Sequence, residues 1–217
     1  MRIKWNGHAS FTITSADGVK IITDPYEPGG FGGAIKYGKI PDKADIVTVS
    51  HEHADHNYVD GIAGNPTVVK KSETVKGIEF KGIPTYHDKS KGSERGQNTI
   101  FVFKLDEITL CHLGDLGHTL PDDVANKIGK VDILFLPIGG TFTVDPNEAA
   151  KVMEKLSPSV TIPMHYKTDK CGFPLAKLDD FLHGKESMTV ELKKSEVEVD
   201  SKRLPNKKEI WVLSHAC

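Results

Sequence analysis

Residues 46–56 constrain this chain more tightly than any other stretch. Ile46-Val47-Thr48-Val49-Ser50 is nearly continuous in β-branched residues, the composition of a central strand buried on both faces, and it runs straight into His51-Glu52-His53-Ala54-Asp55-His56. A lone histidine at such a place is better read as a cap or a solvent contact. Four ligand-type side chains within six positions make a metal site the stronger reading. In an extended segment His51 and His53 point to the same side and can converge on one ion. The chain must then turn, which aims Asp55 and His56 at a second ion nearby. Imidazole nitrogen mixed with carboxylate oxygen suits zinc and also admits iron, manganese or cobalt.

So short a loop cannot close two coordination shells, so further ligands must come from other strand ends. Three apolar runs end the same way. His87 follows the run ending near Ile83, Asp115 follows Leu110-Cys111-His112, and His165 follows Val160-Thr161-Ile162-Pro163-Met164. His112 competes with His87, but only two residues separate it from Asp115, which turns it away from the ions.

The rest of the chain reads as a frame for these loops. Met1–Asn6, the run around Phe11 and Ile13, and Val19–Thr23 are short strands joined by tight turns, implying an antiparallel or mixed sheet. A helix is expected over Asn57–Ala63, strands over Thr67–Val69 and Ile78–Ile83, and an exposed polar loop from Asp88 to Gln97. Thr99–Lys104 and Ile108–His112 form a hairpin across Asp106-Glu107. A helix opened by Thr119-Leu120-Pro121 stops at Gly129. Another begins at Asp145, Pro146 and Glu148, a capping carboxylate, a first-turn proline and a capping-box glutamate, and runs to Leu156. Ile133–Leu136 and Val160–Ile162 are strands, Leu175–Leu182 is helical, and strands at Met188–Leu192 and Ile210–Leu213 close the chain, with no role assigned to the charged segment between them. Gly29, Gly30, Gly32 and Gly33 lack the strand-to-helix setting and the Lys-Ser or Lys-Thr of a phosphate loop, so they read as a surface loop. Early antiparallel strands followed by alternating strands and helices indicate an α/β protein, sheets with helices outside them. A chain of 217 residues suits a single domain, 1–217.

Charge and hydropathy narrow the partners. A net charge of −2 gives no basic footprint for extended nucleic acid. No run approaches the roughly 20 apolar residues that span a bilayer, and no basic stretch with an apolar core opens the chain, so no membrane partner and a cytoplasmic location are expected. Cys111, Cys171 and Cys217 are too widely spaced for a disulfide framework or a thiolate metal site and are expected to be free. The expected partner is a small molecule; self-association is left open.

At this point the chain resembles the metallo-β-lactamase superfamily, whose His-x-His-x-Asp-His motif is matched by His51-Glu52-His53-Ala54-Asp55-His56. Gly7-His8-Ala9-Ser10, Thr23-Asp24-Pro25, His112-Leu113-Gly114-Asp115 and Pro163-Met164-His165-Tyr166 are similar to other landmarks of that family. The pattern looks most like the branch of small uncharacterised hydrolases, ascorbate-6-phosphate lactonases and N-acyl phosphatidylethanolamine phospholipase D. The resemblance implies a four-layer αββα sandwich of two mixed β-sheets flanked by helices. It also implies two divalent metal ions, one on His51, His53 and His87 and the other on Asp55, His56 and His165, with Asp115 bridging them. Asp24 would orient a ligand imidazole, and His8 would line the site.

The implied chemistry is hydrolysis of an ester, lactone or phosphodiester by a metal-bridging hydroxide, since two ions lower the pKa of a shared water and neutralise charge in the transition state. Asp55 would orient that hydroxide or move a proton. His118 is a candidate proton donor to the leaving group, and Tyr166 and Lys167 are candidate contacts to a substrate anion. Leu116 stands where many relatives have threonine after the aspartate, a departure that bears on the leaving-group assignment. Lysines and the arginine of the Asp88–Gln97 loop could favour an anionic substrate. Two other readings stay in view: a di-iron redox protein, disfavoured because such relatives exchange a first-cluster ligand for a carboxylate and work with a flavin domain, and a metal-stabilised binding protein without catalysis.

Overall fold

A computed structural model describes residues 1–217 as two packed mixed sheets. The smaller has six strands in the spatial order Glu196–Glu198, Arg2–Gly7, Ser10–Thr14, Lys20–Thr23, Ile46–Thr48 and Thr67–Val69. The larger has eight, in the order Thr189–Glu191, Glu209–Val212, Val160–Met164, Ile133–Pro137, Ile108–His112, Gln97–Leu105, Ile78–Tyr86 and Glu73–Val75. This is the sandwich of two mixed sheets that the sequence leads one to expect.

Period-two alternation explains why the central strands read as unbroken apolar runs. Ile21 and Ile46 face the main core between the sheets, whereas Ile22, Val47 and Val49 face a second core on the outer side. Phe11 of the small sheet meets Phe135 of the large one with ring centroids 4.5 Å apart, so the sheets touch directly at this level. Helices Asp122–Ile128 and Pro146–Leu156 pack on the large sheet, against Ile78–Tyr86 and Ile133–Pro137 respectively. The outer face of the small sheet is covered mainly by loop, with Tyr26, Ile35, Tyr37, Ile40 and Ala44 supplying the apolar surface.

Local chemistry sets the boundaries. The Asp145 carboxylate accepts the backbone N–H of Asn147 and Glu148, both at 2.9 Å, while Glu148 accepts the N–H of Asp145, closing the expected capping box. Asp106 and Glu107 both take positive φ, 48° and 65°, as a two-residue hairpin turn of the primed kind requires.

Three expectations are corrected. Asn57–Ala63 forms only a 3-10 turn at Val59–Gly61, because Tyr58 N–H is drawn to Pro25 O at 2.8 Å and the Asn, Asp and Gly there favour no helix. The helix expected from Leu175 starts at Leu178; Leu175 is used in the second core and Ala176 N–H bonds Gly139 O at 2.8 Å. The charged segment near the C-terminus contributes Glu196–Glu198, an edge strand paired antiparallel with Arg2–Lys4 in which only Val197 is buried. Glu73–Val75, for which the sequence gives no expectation, is an edge strand on the large sheet that carries too little apolar pattern to announce itself. All three cysteines are free, as expected, and no helix is long and apolar enough to cross a membrane.

Candidate metal centre

Strand direction gathers the ligand-type loops at one edge. Lys20–Thr23 and Ile46–Thr48 run parallel in the small sheet, so Asp24 and the 51–56 loop emerge together. In the large sheet Ile108–His112, Ile133–Pro137 and Val160–Met164 are mutually parallel. Ile78–Tyr86 lies two antiparallel steps away and points the same way. His87, Asp115 and His165 therefore leave the carboxyl ends of their strands side by side, the usual place for chemistry in α/β sheets.

One oxygen sits at the middle of the cluster. Asp115 Oδ2 lies 3.2 Å from His56 Nε2, 3.2 Å from His165 Nε2, 3.3 Å from His87 Nε2 and 3.9 Å from His51 Nε2. Around it the ligand atoms fall into two compact groups. His8, Asp55, His56 and His165 form one, and His51, His53 and His87 the other, the atoms of each lying within 4.8 Å of one another. A third grouping, Asp24 with His51 and His56, overlaps both.

These residues fit a cation. His51 Nε2, His56 Nε2, His165 Nε2, Asp55 Oδ1 and Asp115 Oδ1 are buried without a hydrogen-bond partner. Buried polar atoms left unpaired are costly, and a set that converges with its lone pairs inward is satisfied by a metal ion. Burial, reinforced by the neighbouring imidazole of His165, lowers the pKa of His8 to about 4; burial and His56 lower that of His51 to about 3, and burial lowers that of His87. All three are therefore held neutral, the state a ligand needs. Burial opposes charge on Asp115 and Asp55, but the imidazoles around them outweigh it and hold both carboxyls below their usual range. His56 is the exception. Burial disfavours its charge, yet the nearby carboxylates of Asp115 and Asp55, with the hydrogen bond to Asp24, raise its proton affinity well above the ordinary value, so a proton and a cation compete for it.

The side chains behind the cluster choose tautomers. Asp24, fully buried, accepts the backbone N–H of Ser50 at 2.8 Å, the Ser50 hydroxyl at 2.5 Å and His56 Nδ1–H at 2.9 Å. With its own proton given to Asp24, Ser50 Oγ accepts His51 Nδ1–H at 2.9 Å. Both imidazoles are thus left with Nε2 free toward Asp115. Asn98, also fully buried, accepts Asp115 N–H at 2.9 Å and donates to Thr85 Oγ1 and Leu113 O. Ser50 and Asn98 escaped sequence reasoning. Ser50 adjoins the motif; Asn98 stands between Gln97 and Thr99 at the polar start of the strand Gln97–Leu105, where nothing in the sequence marks it as the buried one.

Backbone strain and glycine are spent here. His8, Asp24 and His165 adopt positive φ, 50°, 38° and 52°, a conformation costing of order 1 kcal/mol or more for a residue with a Cβ. Gly117 has no room for one: a Cβ would stand 2.3 Å from the backbone of His87 and Asp88.

The remaining candidates divide. His8 Nε2 bonds Asp55 Oδ2 at 3.2 Å and its ring lies 4.1 Å from that of His165, so it is part of the cluster and not merely its lining. His112 donates Nε2–H to Ala9 O at 2.8 Å and accepts Gly114 N–H, a tie between sheets that turns it away from Asp115 as expected. His118 requires correction as a proton donor. Its Nδ1–H bonds Thr119 O at 2.8 Å and its Nε2 accepts Tyr86 N–H at 3.4 Å, so both nitrogens are committed to backbone outside the cluster. Lys167 donates to Cys171 O and Phe173 O and is not free for a substrate anion, while the Tyr166 ring is buried against Trp5.

A two-sheet sandwich carrying a histidine–aspartate cluster at the strand ends defines a class of metal-binding α/β proteins. Residues 2–165 match the family model described as the beta-lactamase superfamily domain, and the chain belongs to that family. It is 31% identical to a UPF0173 metal-dependent hydrolase of Thermococcus kodakarensis and 32% identical to one of Pyrococcus horikoshii, each match covering 77% of this chain and 85% of the relative. A solved structure from Thermotoga maritima, described as a candidate zinc-dependent hydrolase of the metallo-beta-lactamase superfamily, superimposes with a TM-score of 0.78 at 37% identity, covering 98% of this chain and 97% of that one. Within the superfamily the chain therefore groups with metal-dependent hydrolases.

Proposed function

We propose that this protein hydrolyses a small-molecule ester, lactone or phosphodiester, in the cytoplasm, with two divalent ions. His51, His53 and His87 hold one, Asp55, His56 and His165 hold the other, and Asp115 lies between them. The reading rests on Asp115 Oδ2, which has four imidazole nitrogens within 3.2–3.9 Å and belongs to neither group alone. A donor set dominated by imidazole favours zinc, in line with the description of the Thermotoga relative. Ions held there supply Lewis acidity and make water acidic enough to lose a proton near neutral pH.

The protein's own part is positioning and proton handling. Asp24 and Ser50 fix the tautomers of His56 and His51. Asp55 keeps Oδ2 on His8, which fixes the carboxylate, and presents the unpaired Oδ1 to the ion it would hold, from where it would orient an attacking water. No neighbouring histidine is assigned to the leaving group, so a good leaving group or water serves there.

Metal analysis of the purified protein should give about two ions per chain. Zinc- or manganese-loaded protein should then cleave at least one of a p-nitrophenyl phosphodiester, a lactone and a p-nitrophenyl ester. Folded protein that holds no ion after supplementation, or that holds two and cleaves none of the three, overturns the proposal.

A further inference from the structure

Two clefts open beside the cluster. One, of about 330 Å³, has His87 in its wall; the other, of about 320 Å³, has His51 and His53. Arg95 lines both.

Each cleft holds one other cation, and each of those is already neutralised. Lys89 Nζ in the first lies 2.6 Å from Glu148 Oε1, and Lys70 Nζ in the second lies 2.8 Å from Glu52 Oε1. Arg95 has only its chain neighbour Glu94, at 3.7 Å and more than half exposed. The first cleft also carries the carboxylates of Asp88, Glu94, Asp145 and Glu148, so it is in the second, where Glu52 is paired to Lys70, that the charge of Arg95 is left over.

Its position is built. The loop from Asp88 reads as solvated polar chain in the sequence, yet the buried Asp88 carboxylate gathers it from within. Oδ1 accepts the N–H of Ser90 at 2.8 Å and Gly92 at 2.7 Å, and Oδ2 accepts those of Glu94 at 3.0 Å and Arg95 at 2.8 Å. Arg95 is thus held by its own backbone. Its guanidinium sits over the Phe142 ring, 5.4 Å from the centroid. Aromatic contacts continue inward: Phe142 to Phe173 at 5.5 Å and Phe173 to His8 at 6.0 Å, with Phe31, 51% exposed, against Phe173 at 5.4 Å. A cation at the mouth is joined to the metal cluster by a wall of phenylalanine.

Resting on the hydrolase reading, we propose that Arg95 selects the substrate, and that the substrate is an organic anion with an apolar arm. Arg95 takes a carboxylate or phosphate oxygen in a charge-assisted hydrogen bond, and an acyl or aryl group lies along Phe142, Phe173 and Phe31.

The test compares Arg95→Gln and Arg95→Lys with the unaltered zinc-loaded protein on three p-nitrophenyl substrates: the neutral butyrate, the anionic hemiglutarate and the methyl phosphodiester. A lost charged hydrogen bond is worth about 10–100-fold. R95Q should lower the kcat/KM ratio of anionic over neutral ester by that factor, through KM, and R95K should recover part of it. Loss on the hemiglutarate alone identifies a carboxylate substrate; loss on the phosphodiester alone identifies a phosphate. A ratio unchanged in R95Q for both anions overturns the proposal. Calorimetric binding of phenyl phosphate, against benzamide as neutral control, separates the two readings: R95Q should weaken phenyl phosphate about tenfold or more even if no substrate turns over. Unchanged affinity for phenyl phosphate together with an unchanged hemiglutarate ratio sinks the role of Arg95 and leaves the hydrolase reading standing; a wild-type protein that binds the anion through Arg95 and cleaves nothing does the reverse.

Discussion

The two halves of the cluster are not equivalent. His8, Asp55, His56 and His165 are all buried, with Asp24 behind His56 and the His165 backbone N–H tied to His8 O at 3.1 Å. Among His51, His53 and His87, His53 is exposed, and both clefts open on this side. The difference teaches a division of labour. On the proposed two-ion reading the buried half would hold its ion in place, and the open half, with His53 exposed and the clefts beside it, would face the substrate and give up its ion first.

The largest effect should come from the atom the halves share. Asp115→Ala removes the oxygen between them, and both ions should be lost: metal analysis should fall below one ion per chain and kcat by about a thousandfold or more. If the variant keeps two ions and the original rate, the halves are independent and the shared oxygen means nothing.

Next is Asp24→Asn, which strips His56 of a carboxylate partner and should weaken metal binding by about 10–100-fold. Competition with a chromophoric chelator should show the loss falling on the tighter, buried ion. His53→Ala should instead weaken only the ion that exchanges first. Equal losses at both ions in each variant would abolish the distinction.

What sequence could and could not foresee follows the same line. His51, His53, Asp55 and His56 were legible because they are contiguous and end a strand whose apolar pattern is unmistakable. His87, Asp115 and His165 were legible because each repeats that pattern, one ligand-type side chain after an apolar run. Asp24 was ambiguous, since an aspartate before Pro25 serves a turn equally well, and only burial against Ser50 and His56 shows which use prevails. Asn98 and Ser50 act through contacts between residues far apart in the chain or differently oriented along it, which no local pattern encodes. Asp88 is the clearest case: it opens a run of lysines, glycines and serines that looks solvated, and its burial and four backbone hydrogen bonds reverse that reading. The edge strands Glu73–Val75 and Glu196–Glu198 were missed because an edge buries few side chains.

Acid should sharpen the comparison through one histidine from each half. In chelator-treated protein, burial lowers His8 from 6.5 to about 4 and His51 from 6.5 to about 3. The unfolded chain takes up these protons first, so their contribution to stability is full above about 6.5 and is lost as pH falls toward about 4 for His8 and about 3 for His51. His56 works in the opposite sense, its contribution being present in acid and lost as pH rises through its elevated pKa. Tm of the metal-free protein should therefore fall from pH 6.5 to 4, with His8→Gln flattening the upper part of that fall. A Tm independent of pH across this window would show that the cluster is hydrated and that its burial carries no linkage.

The smallest effect is predicted for His118, the residue whose sequence position most invites a catalytic role. It lies three residues after Asp115 and near the helix entrance, which is where a leaving-group acid would be sought. Its two ring nitrogens are nevertheless both used, one donating to Thr119 O and the other accepting from Tyr86 N–H. To protonate a leaving group it would have to give up both bonds and swing away from the Tyr86 ring, 5.9 Å distant. Replacing it with alanine removes two local hydrogen bonds, each worth about 1 kcal/mol, and no proton from the reaction. His118→Ala should leave kcat within about threefold and the pH profile of kcat unmoved, because general acid catalysis contributes about a hundredfold or more where it operates. A kcat lowered by that much, with the alkaline limb of the profile gone, would return His118 to the machinery and require the loop after Asp115 to rearrange when substrate binds.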